Sequence, residues 1–221
     1  MSHKLCVVVG AGAGLGLSIT QRFGKEGYAI ALIARRLESL TDYANTLAQA
    51  GVMAKGYSAD VADAQSLIHA FEQIKSQMGH PSILVYNAAV MQEADPLMLS
   101  EETLMHDFKV GVTGALTAIQ QVVSEMQTQN QGTILLTGGA LAFDEYSFPQ
   151  YLSLAIAKTA TRKLCFTMAN ALEPSNIHVA TVTVCGTIAP NTHFDPDRIA
   201  DVYWQLHTQS RSDWQREYVY K

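Results

Sequence analysis

Apolar and polar positions follow two alternating rhythms along this chain. Short, nearly uninterrupted apolar runs occupy residues 5–9, 28–34, 83–86, 132–137 and 178–184, with weaker runs at 53–58 and 217–220. Between them lie longer stretches whose apolar residues recur every three or four positions, the spacing of a helix with one buried face. Residues 37–50 carry Leu37, Leu40, Ala44, Leu47 and Ala48 in this way, and residues 64–78 carry Leu67, Ile68, Phe71 and Ile74. Further helices are expected to end near Glu26, where Gly27 follows, and to span 101–127, 151–172 and 197–207. Ser100 stands where it can cap the 101–127 helix, with Glu101 and Glu102 suited to the positive end of its dipole. The 151–172 stretch is apolar on more than one side, so it is expected to be buried on several sides. Continuous apolar strands are those of a sheet covered on both faces. Seven strand-like runs alternating with helices predict an α/β fold, a Rossmann-like doubly wound parallel sheet with right-handed crossovers and helices on both faces. No linker, repeat or low-complexity segment interrupts residues 1–221, so a single domain is expected.

Composition narrows the class. The chain has 221 residues, 48% of them hydrophobic, enough for one sizeable core. Charged residues are only 16%, which suggests that neighbouring subunits cover part of the surface. The net charge is −5 without a basic run, which argues against nucleic acid or an anionic membrane as partner. Cys6, Cys165 and Cys185 are far apart and odd in number, as expected of buried thiols in a reducing compartment. Met1 leads directly into the first strand, and no stretch has the length and apolarity of a bilayer span. A cytoplasmic location is the expectation.

The first strand runs into Gly10-Ala11-Gly12-Ala13-Gly14-Leu15-Gly16, and a helical pattern starts at once. A strand, a glycine turn and a helix N-terminus make a phosphate cradle, because free N–H groups and the helix dipole favour an anion. Gly10 suits the sharp turn, Gly14 a close approach to a pyrophosphate, and Gly16 close packing of the helix on the sheet. Leu15 stands where the spacing GxGxxG needs its last glycine. The spacing that fits, Gly10-x-x-x-Gly14-x-Gly16, resembles the cofactor loop of the short-chain dehydrogenases/reductases. Arg35 and Arg36 follow the second strand, at the edge that meets the adenosine ribose in dinucleotide folds. Arginine there accommodates a 2′-phosphate, whereas an acidic residue binds the ribose hydroxyls. NADP is therefore the expected cofactor in preference to NAD, the other possibility being two solvated arginines at a helix start.

Further along, Asp60-Val61 follows the third strand. Asp60 can take the adenine amino group, as the matching residue does in that family, or cap the next helix. Asn87-Ala88-Ala89 after the fourth strand resembles the family's Asn-Asn-Ala-Gly motif, with Tyr86 and Ala89 as departures. Gly186-Thr187-Ile188, preceded by Cys185, falls where the family has Pro-Gly and then a Thr that touches the carboxamide. The family's helix pairing implies a homodimer or homotetramer through helices 101–127 and 151–172.

The resemblance covers about residues 4–190, but its catalytic part is depleted. Gly111, Gly139 and Leu154 stand where the family has its catalytic Asn, Ser and Tyr, and only Lys158 of the YxxxK signature is kept. In that family Tyr moves the proton at the substrate oxygen, Ser holds the oxygen, and Lys lowers the Tyr pKa and binds the nicotinamide ribose. Leu154 has no proton to give. Tyr151 is the candidate replacement for it, seven positions before Lys158 and displaced about 4.5 Å along the helix axis from position 154. Packing or subunit contact is its other role, and Tyr146 and Ser153 are weaker candidates. Thr137 should share a strand face with Gly139, so it can substitute for the Ser or be structural. Three readings stay open: a divergent oxidoreductase moving hydride to or from a carbonyl or alcohol of a small apolar substrate, an NADP(H)-binding sensor or interaction module without turnover, and a reductase whose substrate needs no protein acid. Met91, Met98, Phe143, Tyr146, Phe148 and Phe194 are expected near the substrate. No spacing of His and acidic residues suggests a metal site.

Overall fold

The computed structural model describes residues 4–221. Its centre is one parallel sheet of seven strands in the order β3-β2-β1-β4-β5-β6-β7. The strands are β1 (Leu5–Val9), β2 (Ala29–Ala34), β3 (Ala54–Ser58), β4 (Ile83–Tyr86), β5 (Gly132–Gly139), β6 (Ile177–Val184) and β7 (Glu217–Tyr220). The helices are α1 (Leu15–Lys25), α2 (Leu37–Gln49), α3 (Ala64–Met78), α4 (Glu101–Phe108), α5 (Gly114–Thr128), α6 (Leu152–Leu172) and α7 (Pro196–His207).

Strand alternation divides the core into two layers. Leu5, Val7 and Val9 pack with residues of α3, α5 and α6, including Phe71, Val122 and Cys165. Cys6 and Val8 face the other way, onto α1, α2 and α7, through Ile19, Phe23, Leu40 and Tyr203. Each central strand is buried on both faces, which is why these segments read as continuous apolar runs. The chain winds outward from β1 to β3, then starts again at β4 on the other side of β1. The loops after β1 and β4 therefore diverge and leave a crevice at the C-terminal strand ends.

One expected helix is interrupted. The 101–127 stretch is α4 and α5 joined by a single π-helical turn over Lys109–Thr113. The wider turn sets two carbonyls free of the regular ladder, and side chains from neighbouring elements take them. Tyr86 Oη of β4 donates to Val110 O at 2.5 Å, and Thr161 Oγ1 of α6 donates to Gly111 O at 3.0 Å. Gly114 is required here, because a Cβ would collide with Tyr86 Oη and lie 2.7 Å from Val61 O.

The helix ends follow capping chemistry. Ser100 caps α4, accepting from Thr103 N as its position suggests. The cap of α3 is Asp63, which accepts from Gln65 N and Ser66 N, and not Asp60. Asp60 instead turns its own backbone, accepting from Ala62 N at 2.9 Å.

Candidate active site

A cleft of about 760 Å³ opens at the crevice between the β1 and β4 loops. Gly10–Ala13, Ala34–Arg36, Ala59–Val61 and Asn87–Val90 line it from the ends of the first four strands. Ser39 and Tyr43 of α2 and Val110 of the π turn complete the wall. Gly10 takes φ +84°, and a Cβ there would stand 2.5 Å from Ala88 N, so β1 can turn this close to the β4 loop only as glycine. Asn87 fastens the two loops, with Nδ2 donating to Gly10 O at 3.0 Å. Gly16 has the packing role expected of it: a Cβ would lie 2.5 Å from Gly10 O, and Leu15 is buried beside it. Gly12 and Gly14 face open space instead. Gly14 also starts α1 without a side-chain cap. The N-terminus of α1 thus carries no side-chain cap, as a phosphate site needs, although Leu17 N–H is taken by Gly12 O and only Gly10–Ala13 of the loop line the cleft, not Gly14, Leu15 or Gly16.

Arg35 and Arg36 stand exposed at one end of the cleft, and neither forms an ion pair among the described residues. The unneutralised guanidinium charge fits a phosphate monoester better than a bare ribose. Asp60 and Val61 are on the adjoining wall, and Asn87, Ala88 and Ala89 lie across from them. All of these stand together around the one cleft. Gly186, Thr187 and Ile188 are not on this wall. They form an exposed segment after β6, with Gly186 tucked beneath the Phe194 ring.

The far end of the cleft adjoins a small chamber that shares Ala88, Ala89 and Val90 with it. Its volume is about 10 Å³, room for one water molecule. Tyr86, Asp107, Gly111, Thr137, Leu154, Ala157, Lys158 and Thr161 enclose it. Gly111, Leu154 and Lys158 therefore meet in space as the family pattern implies. Gly139 belongs to the same group, since its Cβ would lie 3.5 Å from Lys158 Cε. Lys158 Nζ donates to Thr137 O at 2.7 Å, and burial pushes its pKa down to about 8.

Two expectations about this chamber change. Thr137 does not present its hydroxyl beside Gly139. The hydroxyl lies 2.9 Å from Asn87 Oδ1, to which it donates, and 2.7 Å from Tyr203 Oη, on the α7 side of the sheet. β5 stays paired with β6 through Gly139, and Thr137 keeps the α7-side face of Leu135 that alternation gives it, so its carbonyl is what reaches Lys158. Tyr151 precedes α6, in a tight turn over Pro149–Tyr151, and is not among the residues lining the chamber. Its hydroxyl donates to Glu93 Oε1 at 2.6 Å, which raises its pKa, the hydrogen bond to the carboxylate being the main cause. This contact and the Ala94 N to Gln150 O bond tie the loop after β4 to the start of α6.

The expected apolar substrate wall is also placed elsewhere. Met91 and Met98 are 77% and 79% exposed. Phe143 lies against the Arg162 guanidinium at 5.1 Å, and Phe194 covers Gly186. None of the six lines the cleft or the chamber. The residue that sequence reading missed is Asp107. It is buried at 2% exposure on the face of α4 that continues into Gly111, and it lines the chamber.

Comparison with known proteins accords with this geometry. A family model described as short chain dehydrogenase matches residues 4–198. The chain belongs to the short-chain dehydrogenase family. Among curated relatives of this short-chain dehydrogenase is the 2,3-dihydro-2,3-dihydroxybenzoate dehydrogenase of Bacillus subtilis, 25% identical over 92% of this chain and 73% of that protein. Another is dehydrogenase/reductase SDR family member 4 of Mus musculus, 26% identical over 98% of this chain and 74% of that one. A metagenomic short-chain oxidoreductase in complex with NADP superposes with a TM-score of 0.89 at 22% identity, covering 98% of this chain and 95% of its own. An alcohol dehydrogenase from Thermococcus sibiricus, complexed with 5-hydroxy-NADP, gives 0.88 at 22% identity with the same coverage. These two structures establish the fold. Among the described residues no helix is long and apolar enough to cross a membrane.

Proposed function

We propose that this short-chain dehydrogenase is an NADP(H)-dependent oxidoreductase acting on a carbonyl or alcohol of a small molecule. The observation that carries the reading is that the cleft, lined by two unpaired arginines, and the chamber that holds Lys158 share the wall Ala88–Val90. The glycine loop and the bare N-terminus of α1 suit the pyrophosphate. Arg35 and Arg36 would hold a 2′-phosphate, with Asp60 and Val61 beside the adenine. Asn87, Ala88 and Ala89 would flank the riboses. Gly186, Thr187 and Ile188 remain the segment assigned to the carboxamide side. When bound, the nicotinamide supplies or accepts the hydride, and the protein orients it, excludes water and manages one proton. Lys158 is the cation for the nicotinamide ribose, and its lowered pKa lets it change charge near neutral pH. Tyr151 is given no proton-transfer role, because its hydroxyl is spent on Glu93 at the protein surface.

Pairing of two copies through α4, α5 and α6 belongs to the same reading. Met105, Leu152 and Ile156 are exposed apolar side chains on those helices, and a second copy would cover them.

The test combines calorimetry with NADPH and NADH and a panel of carbonyl substrates with NADPH consumption followed. NADPH binding tighter than NADH, with turnover lost in Lys158→Ala, is the expected result. A second reading is favoured by Leu154, which walls the chamber without a proton donor: a cofactor-binding sensor. Tight NADPH binding without turnover on any substrate would select it.

A further inference from the structure

The chamber beside Lys158 contains an acid with an unusual environment. Asp107 is in the last turn of α4 and is only 2% exposed. Burying a carboxylate costs several kcal/mol unless its oxygens are satisfied. Here donors from three separate segments converge on it. Ser153 Oγ of α6 donates to Oδ2 at 2.6 Å, and Gln92 Nε2 from the loop after β4 donates to the same oxygen at 3.0 Å. His106 Nδ1 stands 3.3 Å from Oδ1. An aliphatic residue would fill this inward helix position without that solvation cost, so the packing alone does not account for an acid.

Its position links two places that are otherwise separate. On one side Asp107 lines the one-water chamber with Lys158 of α6 and Tyr86 of β4, the Tyr86 hydroxyl being committed to Val110 O. On the other side it meets His106, whose side chain is 48% exposed and reaches bulk water. Reducing a carbonyl adds hydride at carbon and leaves the oxygen one proton short. Leu154 cannot supply that proton.

We propose that His106 and Asp107 form the proton route between bulk water and the chamber beside Lys158, in place of the absent tyrosine. The proposal rests on the oxidoreductase reading above. In the reducing direction the chamber water gives a proton to the substrate oxygen as the O–H bond forms. A proton then passes from His106 through the Asp107 carboxylate to the hydroxide left behind, and His106 takes another from solvent. One proton enters for each carbonyl reduced, and the hydride with its electron pair is the one delivered from the reduced nicotinamide. Alcohol oxidation runs the same route outward. Asp107 and His106 act through the water, so they are positioning and relay residues.

The experiment uses diacetyl as the carbonyl probe and NADPH as reductant, alongside the carbonyl panel. Asp107→Asn should lower kcat about 100-fold and His106→Gln about tenfold, the range of a lost proton-transfer group, with NADPH affinity held within about twofold. Formate should restore part of the activity of Asp107→Ala, and imidazole that of His106→Gln. Rescue by small proton carriers distinguishes a relay from packing. Unchanged kcat in both variants, or losses that neither carrier restores in a variant with wild-type melting behaviour, would overturn the proposal. His106 is at the surface, so its variant keeps the test valid if Asp107→Asn folds poorly. A wild type that binds NADPH and reduces nothing overturns the oxidoreductase reading instead. The shared chamber is then read from Lys158 titration by NMR of isotopically labelled dimethyl-lysine. A downward shift in Asp107→Asn supports the carboxylate facing that chamber, and an unchanged titration overturns the proposal.

Discussion

Lys158 and Thr137 meet through the main chain: the ammonium donates to the Thr137 carbonyl at 2.7 Å, while the Thr137 hydroxyl is turned away to Asn87 and Tyr203. Burial lowers the Lys158 pKa from 10.5 to about 8. The unfolded chain therefore holds more protons than the folded one between those values, and stability should rise with pH across that window. Below about pH 8 the full penalty of the buried charge is present. Lys158→Met should raise the urea midpoint near neutral pH and flatten its dependence from about 8 to about 10.5. The same variant should lose turnover, so the lysine is kept at a cost in stability.

Arg35 and Arg36 carry charge that no acidic side chain among the described residues pairs with. Replacing both by alanine should weaken NADPH binding about 10- to 100-fold, the loss of one or two charge-assisted contacts to a phosphate. NADH binding should change by less than about threefold. Calorimetry on the double variant checks this, and an equal loss for both cofactors would remove the arginines from the 2′-phosphate.

Glycines at the chamber separate by what surrounds them. Gly139 has room, since a Cβ meets only the flexible Lys158 stem at ordinary contact distance. Gly139→Ser should fold with a change of less than about 1 kcal/mol. Gly114→Ala should cost about 2–4 kcal/mol, because Tyr86 and the Val61 carbonyl cannot both move. Thermal melts of the two variants test the contrast, and equal melting temperatures would contradict it.

His207 gives the acid limb of the stability curve. Its Nδ1 and Nε2 meet Thr133 Oγ1 and Tyr28 Oη, each at 2.9 Å, and burial pushes its pKa from 6.5 to about 4. The unfolded ring takes a proton first as pH falls, so stability present above about 6.5 is lost on the way down to about 4. His207→Gln should flatten that limb by about 1–3 kcal/mol, discounted for the ring's partial exposure, and start from a lower plateau near neutral pH. Urea titrations at several pH values measure both effects.

The likeness between the sequence and the folded chain is uneven for a physical reason. The glycine loop, the arginines after β2 and the Asn87 motif are each contiguous in sequence at a strand end, so local spacing already specifies their placement along the cleft. The chamber is assembled from β4, the π turn, β5 and α6, and the contacts among them join residues about 20 to 50 positions apart. Thr137 shows what local rules leave open: alternation gives its face, but only the packed structure shows its hydroxyl taken by Asn87 and Tyr203. Tyr151 looked close to Lys158 along the helix, yet the helix begins at Leu152 and the Glu93 carboxylate holds its hydroxyl. The α4–α5 interruption was legible only as a costly Gly111, because the hydroxyls that donate to the freed carbonyls, those of Tyr86 and Thr161, come from other elements.

The layered fold follows from the apolar pattern alone, since continuous apolar strands alternating with one-sided helices can bury their apolar surface in few other ways. The glycine turn at the cleft follows from the sequence too, because a turn before a helix N-terminus is a local structure. Tertiary structure decided what stands at the reacting end. Only the packing of α4 against α6 brings Asp107 and Lys158 to one chamber, and no spacing along the chain encodes that meeting.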